Sequence, residues 1–347
     1  MENNRELDNF IGSKWGGHHS DLFYHIISTS NLLSAWREFR RGKNKKTDIQ
    51  KFEFNLEKNI LDIHFSLRRK TYINEPYVPF YVCDPKIRHI HKAQVRDRVV
   101  HQAVFRQLYK IYDPSFIYDS YACRFNKGTH AGVERLESFL RKETKNYKNN
   151  AWVLKCDISK FFDSIDHEIL KKILFEKIEC LETKWLLENI IKSFEKLEGK
   201  GLPLGNVTSQ LFANVYMNVF DQFMKHVLKV KYYARYCDDF VCVSKDKYFL
   251  ELLLPKISEF LEEKLKLKLH PKKVEIRKVS QGVDFLGYVV LTHYKVLRTS
   301  TKKRILRKVK QNLFKESKFS YLGILSHCRG YKLSKFFNDK NLIKALK

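Results

Sequence analysis

Two stretches near the start of the chain repeat apolar residues at helical spacing. Ser20 to Arg41 carries Leu22, Ile26, Ile27, Leu32, Leu33 and Trp36, closes in Arg40-Arg41-Gly42-Lys43, and predicts a helix. Ile49 to Arg69 predicts a second, with Phe52, Phe54, Leu56, Ile60, Leu61 and Phe65 inward. The period then shortens to two. Tyr77 to Val82 reads as a strand, followed by a turn at Asp84-Pro85 and a partner strand containing Ile87, Arg88 and Ile90. Gln94 to His101 opens another helix. Ala151 to Lys155 is an apolar strand ending at Asp157, with a helix starting near Ser164 or Asp166, both suited to capping. Gly201 to Gln210 is a tight Gly/Pro loop in which Thr208 or Ser209 can cap the next helix. Tyr232, Tyr233, Tyr236, Phe240, Val241 and Val243 favour extended backbone on either side of Cys237-Asp238-Asp239, which predicts a hairpin with two carboxylates at its tip. Thr301 to Phe314 places Ile305, Leu306, Val309 and Leu313 on one face and Lys302, Lys303, Arg304, Arg307, Lys308 and Lys310 around the rest, an amphipathic basic helix.

Charge narrows the partners. The 347 residues are 44% hydrophobic, enough for two or three lobes around a sizeable core, yet the net charge is +27, a field that attracts polyanions and nucleic acid first. Sixteen Lys and Arg face two acids between Leu291 and Lys347, so about half of that excess sits at the end of the chain. No run of about 18 apolar residues occurs, and the start carries no leader pattern. Seven cysteines without a C-x-x-C pair imply reduced thiols. Together these predict a cytoplasmic protein that binds no membrane. Cys237 and Cys242 read as small strand residues, and His18 and His19 as part of a polar loop.

The chemistry concentrates at three carboxylates. Asp238 and Asp239 are either solvated turn residues or a site, since touching anions repel unless a cation lies between them or one takes up a proton. Asp157, at a strand end, adds a third and makes an oxygen-rich seat for hard cations such as Mg²⁺. Two such ions about 3.5–4 Å apart stabilise both oxygens of an in-line phosphoryl displacement.

At these residues the chain resembles the reverse transcriptases. Tyr236-Cys237-Asp238-Asp239 matches their Tyr-x-Asp-Asp box, and Asp157-Ile158 with Phe161-Phe162 matches their first catalytic motif. The resemblance implies an α+β right-hand polymerase with a ferredoxin-like palm, fingers and a short basic helical thumb. Its parts would be an N-terminal helical extension over 1–75, fingers over 76–150, a palm over 151–290 with helices at 166–220, and a thumb over 291–347. It implies an RNA-directed DNA polymerase in which Asp157, Asp238 and Asp239, with the Ile158 carbonyl, hold two Mg²⁺, Mn²⁺ being a substitute. Lys86 and Arg88 would grip the incoming deoxynucleoside triphosphate, and Phe162 would exclude a ribose 2′-OH while Phe161 packs in the core. Leu204, Gly205 and Gln210 would line the nascent base pair, and Lys272 or Lys273 would assist the pyrophosphate leaving group. Phe285-Leu286 resembles primer-grip packing. Arg96 and Arg98 in the Arg-Asp-Arg-Val-Val run, Arg124 and Lys127 in Ser-Tyr-Ala-Cys-Arg…Lys-Gly-Thr-His-Ala, and Lys303, Arg304 and Arg307 would contact nucleic acid.

Within the family the chain is similar to the reverse transcriptases of diversity-generating retroelements, themselves related to the group II intron type. Leu204 stands where most members have Gln, and Gln210 where they have Pro. Losing a polar side chain beside the base pair implies error-prone copying opposite adenine. That subgroup implies a structured template RNA, a cDNA primer and product, a small pentameric accessory protein and a bacterial host cell. An antiphage-defence reverse transcriptase is the alternative, since that class shares these palm motifs; an RNA-directed RNA polymerase and a non-catalytic RNA-binding protein are two further readings.

Overall fold

The computed structural model describes residues 21–83, 87–310 and 318–338; His18, His19, the Asp84-Pro85 turn, Lys86, Leu313 and Phe314 lie outside them. The chain divides into two compact units, each assembled from three segments. One joins Met1–Phe116, Lys160–Asp221 and Glu262–Leu267, the other Ile117–Ser159, Gln222–Leu261 and Lys268–Lys347. In chain order the first unit opens with helices α1 (Leu22–Ile27), α2 (Thr29–Phe39), α3 (Thr47–Phe54) and α4 (Leu56–Arg68), hairpin strands β1 (Val78–Val82) and β2 (Arg88–Lys92), and helix α5 (Val95–Tyr112). The second unit contributes α6 (Thr129–Glu143) and β3 (Trp152–Cys156). The first unit resumes with α7 (Phe161–Ser164), α8 (His167–Phe175), α9 (Leu181–Lys192) and α10 (Val207–Gln222). Then follow β4 (Tyr232–Tyr236), β5 (Asp239–Ser244), α11 (Lys247–Leu265), β6 (Glu275–Lys278), β7 (Val283–Phe285), β8 (Tyr288–Val290), β9 (Lys295–Leu297), α12 (Thr299–Lys310), α13 (Lys318–Ser326) and α14 (Tyr331–Asn338).

In the first unit, the helix expected over 20–41 is two helices. Ser28 leaves the helical region (ψ 140°), and its hydroxyl accepts the Asn31 N–H, which caps α2. Asn55, at φ −113° and ψ 38°, divides the second expected helix without a side-chain cap. That break also re-aims the apolar face. Phe54 (89% exposed), Leu61 (45%) and Phe65 (43%), expected inward, face out, while Ile49, Ile60, Ile63 and Leu67 are buried. Asn31 ties α2 to α5, its amide donating to the Ala103 carbonyl at 3.2 Å and its oxygen accepting from Arg106 and Gln107 at 2.9 Å. Asp166 caps α8 by accepting the Glu168 and Ile169 N–H groups. Helix α10 starts at Val207, so Thr208 and Ser209 lie buried within its first turn rather than at its cap.

In the second unit, four antiparallel strands run in the order β4-β5-β3-β6. The chain passes from β3 through helices to β4, turns directly into β5, and passes through α11 to β6. That β-α-β-β-α-β path with this strand order is the ferredoxin-like arrangement. Side chains of β3, β4 and β5 that face α6, among them Val153, Ala234, Val241 and Val243, join Leu136, Phe139 and Leu140 in one core. The same cluster takes in the β7-β8-β9 sheet, through Phe285 and Tyr288, and the basic helix α12, through Ile305. Leu286 and Gly287, at φ 49° and 90°, form the two-residue turn between β7 and β8.

Candidate active site

Strand register brings the three carboxylates together. Cys156 pairs with Phe240 at the end of the β3–β5 ladder, so Asp157 and Asp239 are the next opposed positions. Directly opposed side chains on one face of a sheet lie about 4.5–5.5 Å apart at Cβ. Tyr236 pairs with Asp239, leaving Cys237 and Asp238 as a two-residue loop. Cys237 adopts φ +58° while Asp238 stays at negative φ, the signs of a type II′ turn, in which glycine ordinarily fills the first place. A cysteine there is strained by about 1–2 kcal/mol.

The electrostatics follow from that crowding. Burial, reinforced by the Asp157 charge, raises the Asp238 carboxyl above its ordinary range. Burial also pushes Asp239 up to about 6, with Asp238 and Asp157 raising it and Lys155 pulling it down. Lys273 Nζ donates to Asp157 Oδ2 at 2.7 Å. The backbone around Ile158 is tied on both sides, His270 N–H to the Asp157 carbonyl and Ser159 N–H to the Lys268 carbonyl, each at 2.8 Å.

Among the described residues no three His, Cys, Asp or Glu side chains converge into a ready-made metal centre. The donor set nevertheless suits a hard divalent cation, since it is all oxygen and under mutual repulsion. Mg²⁺ in particular is held through one or two carboxylates, with water and substrate phosphates filling its other positions.

Other expected residues fall into two groups. Within the first unit, Phe162, the 201–205 loop and β2 are gathered. The Leu202 N–H donates to the Phe162 carbonyl at 2.8 Å, and a Cβ on Gly205 (φ +106°) would lie 3.4 Å from Ile90 on β2, the strand that also carries exposed Arg88. Phe161 is buried and Phe162 half-exposed, with their rings edge to face at 5.4 Å. Leu204 and Gln210 are half-buried.

The expected nucleic-acid contacts divide differently. Arg96 donates to the Ile73 carbonyl and Ser66, and Arg98 to Asp48 at 2.9 Å, so both have partners within the first unit. In the second unit Arg124 donates to the carbonyls of Ile117 (2.7 Å) and Ser120 (3.2 Å). Lys127 donates to the Tyr118 carbonyl and lies over the Tyr118 ring at 3.4 Å. These side chains hold their own segment, since each donates to a backbone carbonyl a few residues away. Lys303 and Arg307 are exposed and Arg304 half-buried on α12, whose Ile305 points into the core.

Of the two lysines expected near the leaving group, Lys273 reaches the carboxylates, while the Lys272 side chain is exposed and its N–H bonds His270 Nδ1; sequence reasoning missed Lys155. Lys155 also acts there, and strand alternation signals it, two positions from Asp157 on one face.

A model of the reverse transcriptase (RNA-dependent DNA polymerase) family matches residues 83–290. The chain is 27% identical over 241 residues to protein YkfC of Escherichia coli (strain K12), covering 58% of this chain and 63% of that one. It is 23% identical over 321 residues to the group II intron-encoded protein LtrA of Lactococcus lactis subsp. cremoris, covering 72% and 51% respectively. It thus spans less than two thirds of either relative. Among solved structures, apo telomerase from Candida tropicalis, truncated from its C-terminal domain, superposes with a TM-score of 0.48 at 14% identity over 69% of this chain and 60% of that one.

Proposed function

The chain belongs to the reverse transcriptase (RNA-dependent DNA polymerase) family, and from that premise we propose that it copies an RNA template into DNA by two-metal nucleotidyl transfer. The observation that carries this reading is the meeting of Asp157, Asp238 and Asp239 at adjoining strand ends. These carboxylates would hold two Mg²⁺, with the Ile158 carbonyl as a further ligand. The ions, when bound, supply charge stabilisation to the attacking and leaving oxygens.

The primer 3′-OH attacks the α-phosphate of the incoming deoxynucleotide, and pyrophosphate leaves. Lys273, which donates to Asp157 Oδ2, would be placed beside the ions that Asp157 helps to hold. Its ammonium would be the donor at hand for the leaving pyrophosphate. Arg88 grips phosphate oxygens with its bidentate fork. Phe162 stacks under the sugar and excludes a 2′-OH, while Leu204 and Gly205 border the base pair. Lys303 and Arg307 on α12 bind template–primer phosphates, so affinity falls steeply with salt.

The subgroup reading is a diversity-generating retroelement, supported by Leu204 and Gln210 at positions where the family has Gln and Pro. Its partners are a structured template RNA and a small pentameric accessory protein in a bacterial cytoplasm. Among the described residues no helix is long and apolar enough to cross a membrane.

The test is extension on an RNA template, with each deoxynucleotide in turn. Metal-dependent synthesis lost in Asp238→Asn supports the reading; no synthesis on any template returns the chain to an RNA-binding role. Misincorporation opposite adenine that is no higher than in Leu204→Gln removes the error-prone assignment. Phage resistance in a host without a variable target gene would move the chain to the defence class.

A further inference from the structure

We propose that Arg235 is a positioning residue for the paired carboxylates: its buried guanidinium, seated on Ser120, grips the Cys237 carbonyl and fixes the turn that presents Asp238 and Asp239. Its catalytic consequence rests on the polymerase reading; the brace itself does not.

Arg235 is fully buried on β4, among the largest side chains so enclosed. Its Nη1 donates to the Cys237 carbonyl at 3.0 Å and its Nη2 to Ser120 Oγ at 3.1 Å. The carbonyl it holds belongs to the peptide between the two loop residues, Cys237 and Asp238. Rotation of that central peptide is what separates one β-turn type from another. A flip would change the backbone at both loop residues and swing the Asp238 side chain. Because Cys237 sits at φ +58° without glycine's freedom, the turn persists only where surrounding structure over-determines it. The Arg235 guanidinium supplies that restraint.

The seat for Arg235 is itself immobilised. Arg235 N–H donates to the Asp119 carbonyl and Tyr121 N–H to the Arg235 carbonyl, both at 2.9 Å, so residues 119–121 run as a short parallel bridge beside β4. Ser120 is fully buried. Arg124 Nη1 holds the carbonyls of Ile117 and Ser120 from the other side. The Asp119 carboxylate is pinned by Arg135 Nε at 2.7 Å and by the Tyr121 hydroxyl at 3.0 Å. The Ser-Tyr-Ala-Cys-Arg run is therefore the footing of the carboxylate hairpin, which explains why Arg124 turns inward.

The experiment uses the full chain with Ser120→Ala, a one-atom deletion, and Arg235→Lys, whose single ammonium cannot span both oxygens. Two readouts are taken: kcat and KM for single-deoxynucleotide extension on an RNA template, and hydrogen exchange across the peptide 232–244. The brace predicts kcat about tenfold lower with KM within about twofold, since misplacing reacting groups slows chemistry more than binding. It also predicts faster exchange confined to the hairpin, with β3 and β6 unchanged. Unchanged kcat with unchanged exchange at 237–240 overturns the proposal, and so does exchange that quickens uniformly through the unit. If Arg235→Lys fails to fold, Ser120→Ala decides alone. If the wild type extends no primer, the polymerase reading fails and hydrogen exchange still decides whether the brace exists.

Discussion

Asp239→Asn should abolish DNA synthesis and at the same time make the metal-free protein more stable at pH 8. Burial, with the Asp238 and Asp157 charges, carries the Asp239 carboxyl from 3.8 to about 6. A raised carboxylate pKa means that the folded state binds the proton more tightly than the unfolded chain. Stability therefore falls as pH climbs from near 4 through 6, and the loss is complete above that window. At about 1.4 kcal/mol for each unit, the penalty at pH 8 is about 3 kcal/mol at most. Losing the favourable Lys155 contact reduces the expected gain for Asn to about 1–2 kcal/mol. The assay is urea denaturation in EDTA at pH 8, 6 and 4, comparing midpoints at a common slope. The variant should lead at pH 8, lead by less at pH 6 and draw level at pH 4. Added Mg²⁺ should stabilise the wild type more than the variant and narrow the gap, because a ligand that binds only the folded state stabilises it by mass action. Equal stability at pH 8, or the same advantage at pH 4, would refute the reasoning.

Three other perturbations separate the neighbouring residues. Lys273→Met should lower kcat about 10- to 100-fold, the range of a lost proton donor, whereas Lys272→Met stays within about twofold; single-turnover extension distinguishes them. Phe162→Ala should raise ribonucleotide use relative to deoxyribonucleotide by about tenfold or more, measured as a ratio of kcat/KM values, because the half-exposed ring is the candidate barrier to a 2′-OH. Asp166→Ala removes the acceptor for two N–H groups at the start of α8 and should cost about 1 kcal/mol by urea melt.

Much of the site was legible because its signals are local. Alternating apolar residues around Cys237-Asp238-Asp239 specify a hairpin, since side chains in a strand point to opposite faces and the polar break can lie only at the turn. An apolar run ending at Asp157 specifies a strand end in the same way. The basic helix after residue 299 was legible from its 3.6-residue period and its charge. Helix breaks were not. Ser28 and Asn55 interrupt continuous apolar periodicity, and a hydroxyl that caps one helix reads in sequence like any polar residue on an exposed face. Once Asn55 turned the chain, the inward face became Ile60, Ile63 and Leu67 while Phe54 and Phe65 turned out.

The sequence by itself determined the hairpin around Cys237-Asp238-Asp239, the strand running into Asp157 and the basic helix after residue 299, and with them that three carboxylates lie at strand ends. Only the tertiary structure decided which cations serve which partners. Arg124, Arg96 and Arg98 look in sequence like free phosphate ligands, yet each finds an oxygen of its own unit. Lys273 rather than Lys272 meets Asp157, and Arg235, unremarkable in the sequence, holds the turn beside it. The physical reason is range. Period and turn chemistry act over a few residues, whereas a long cationic side chain pairs with whatever acceptor the fold brings within about 3 Å, often a hundred residues away.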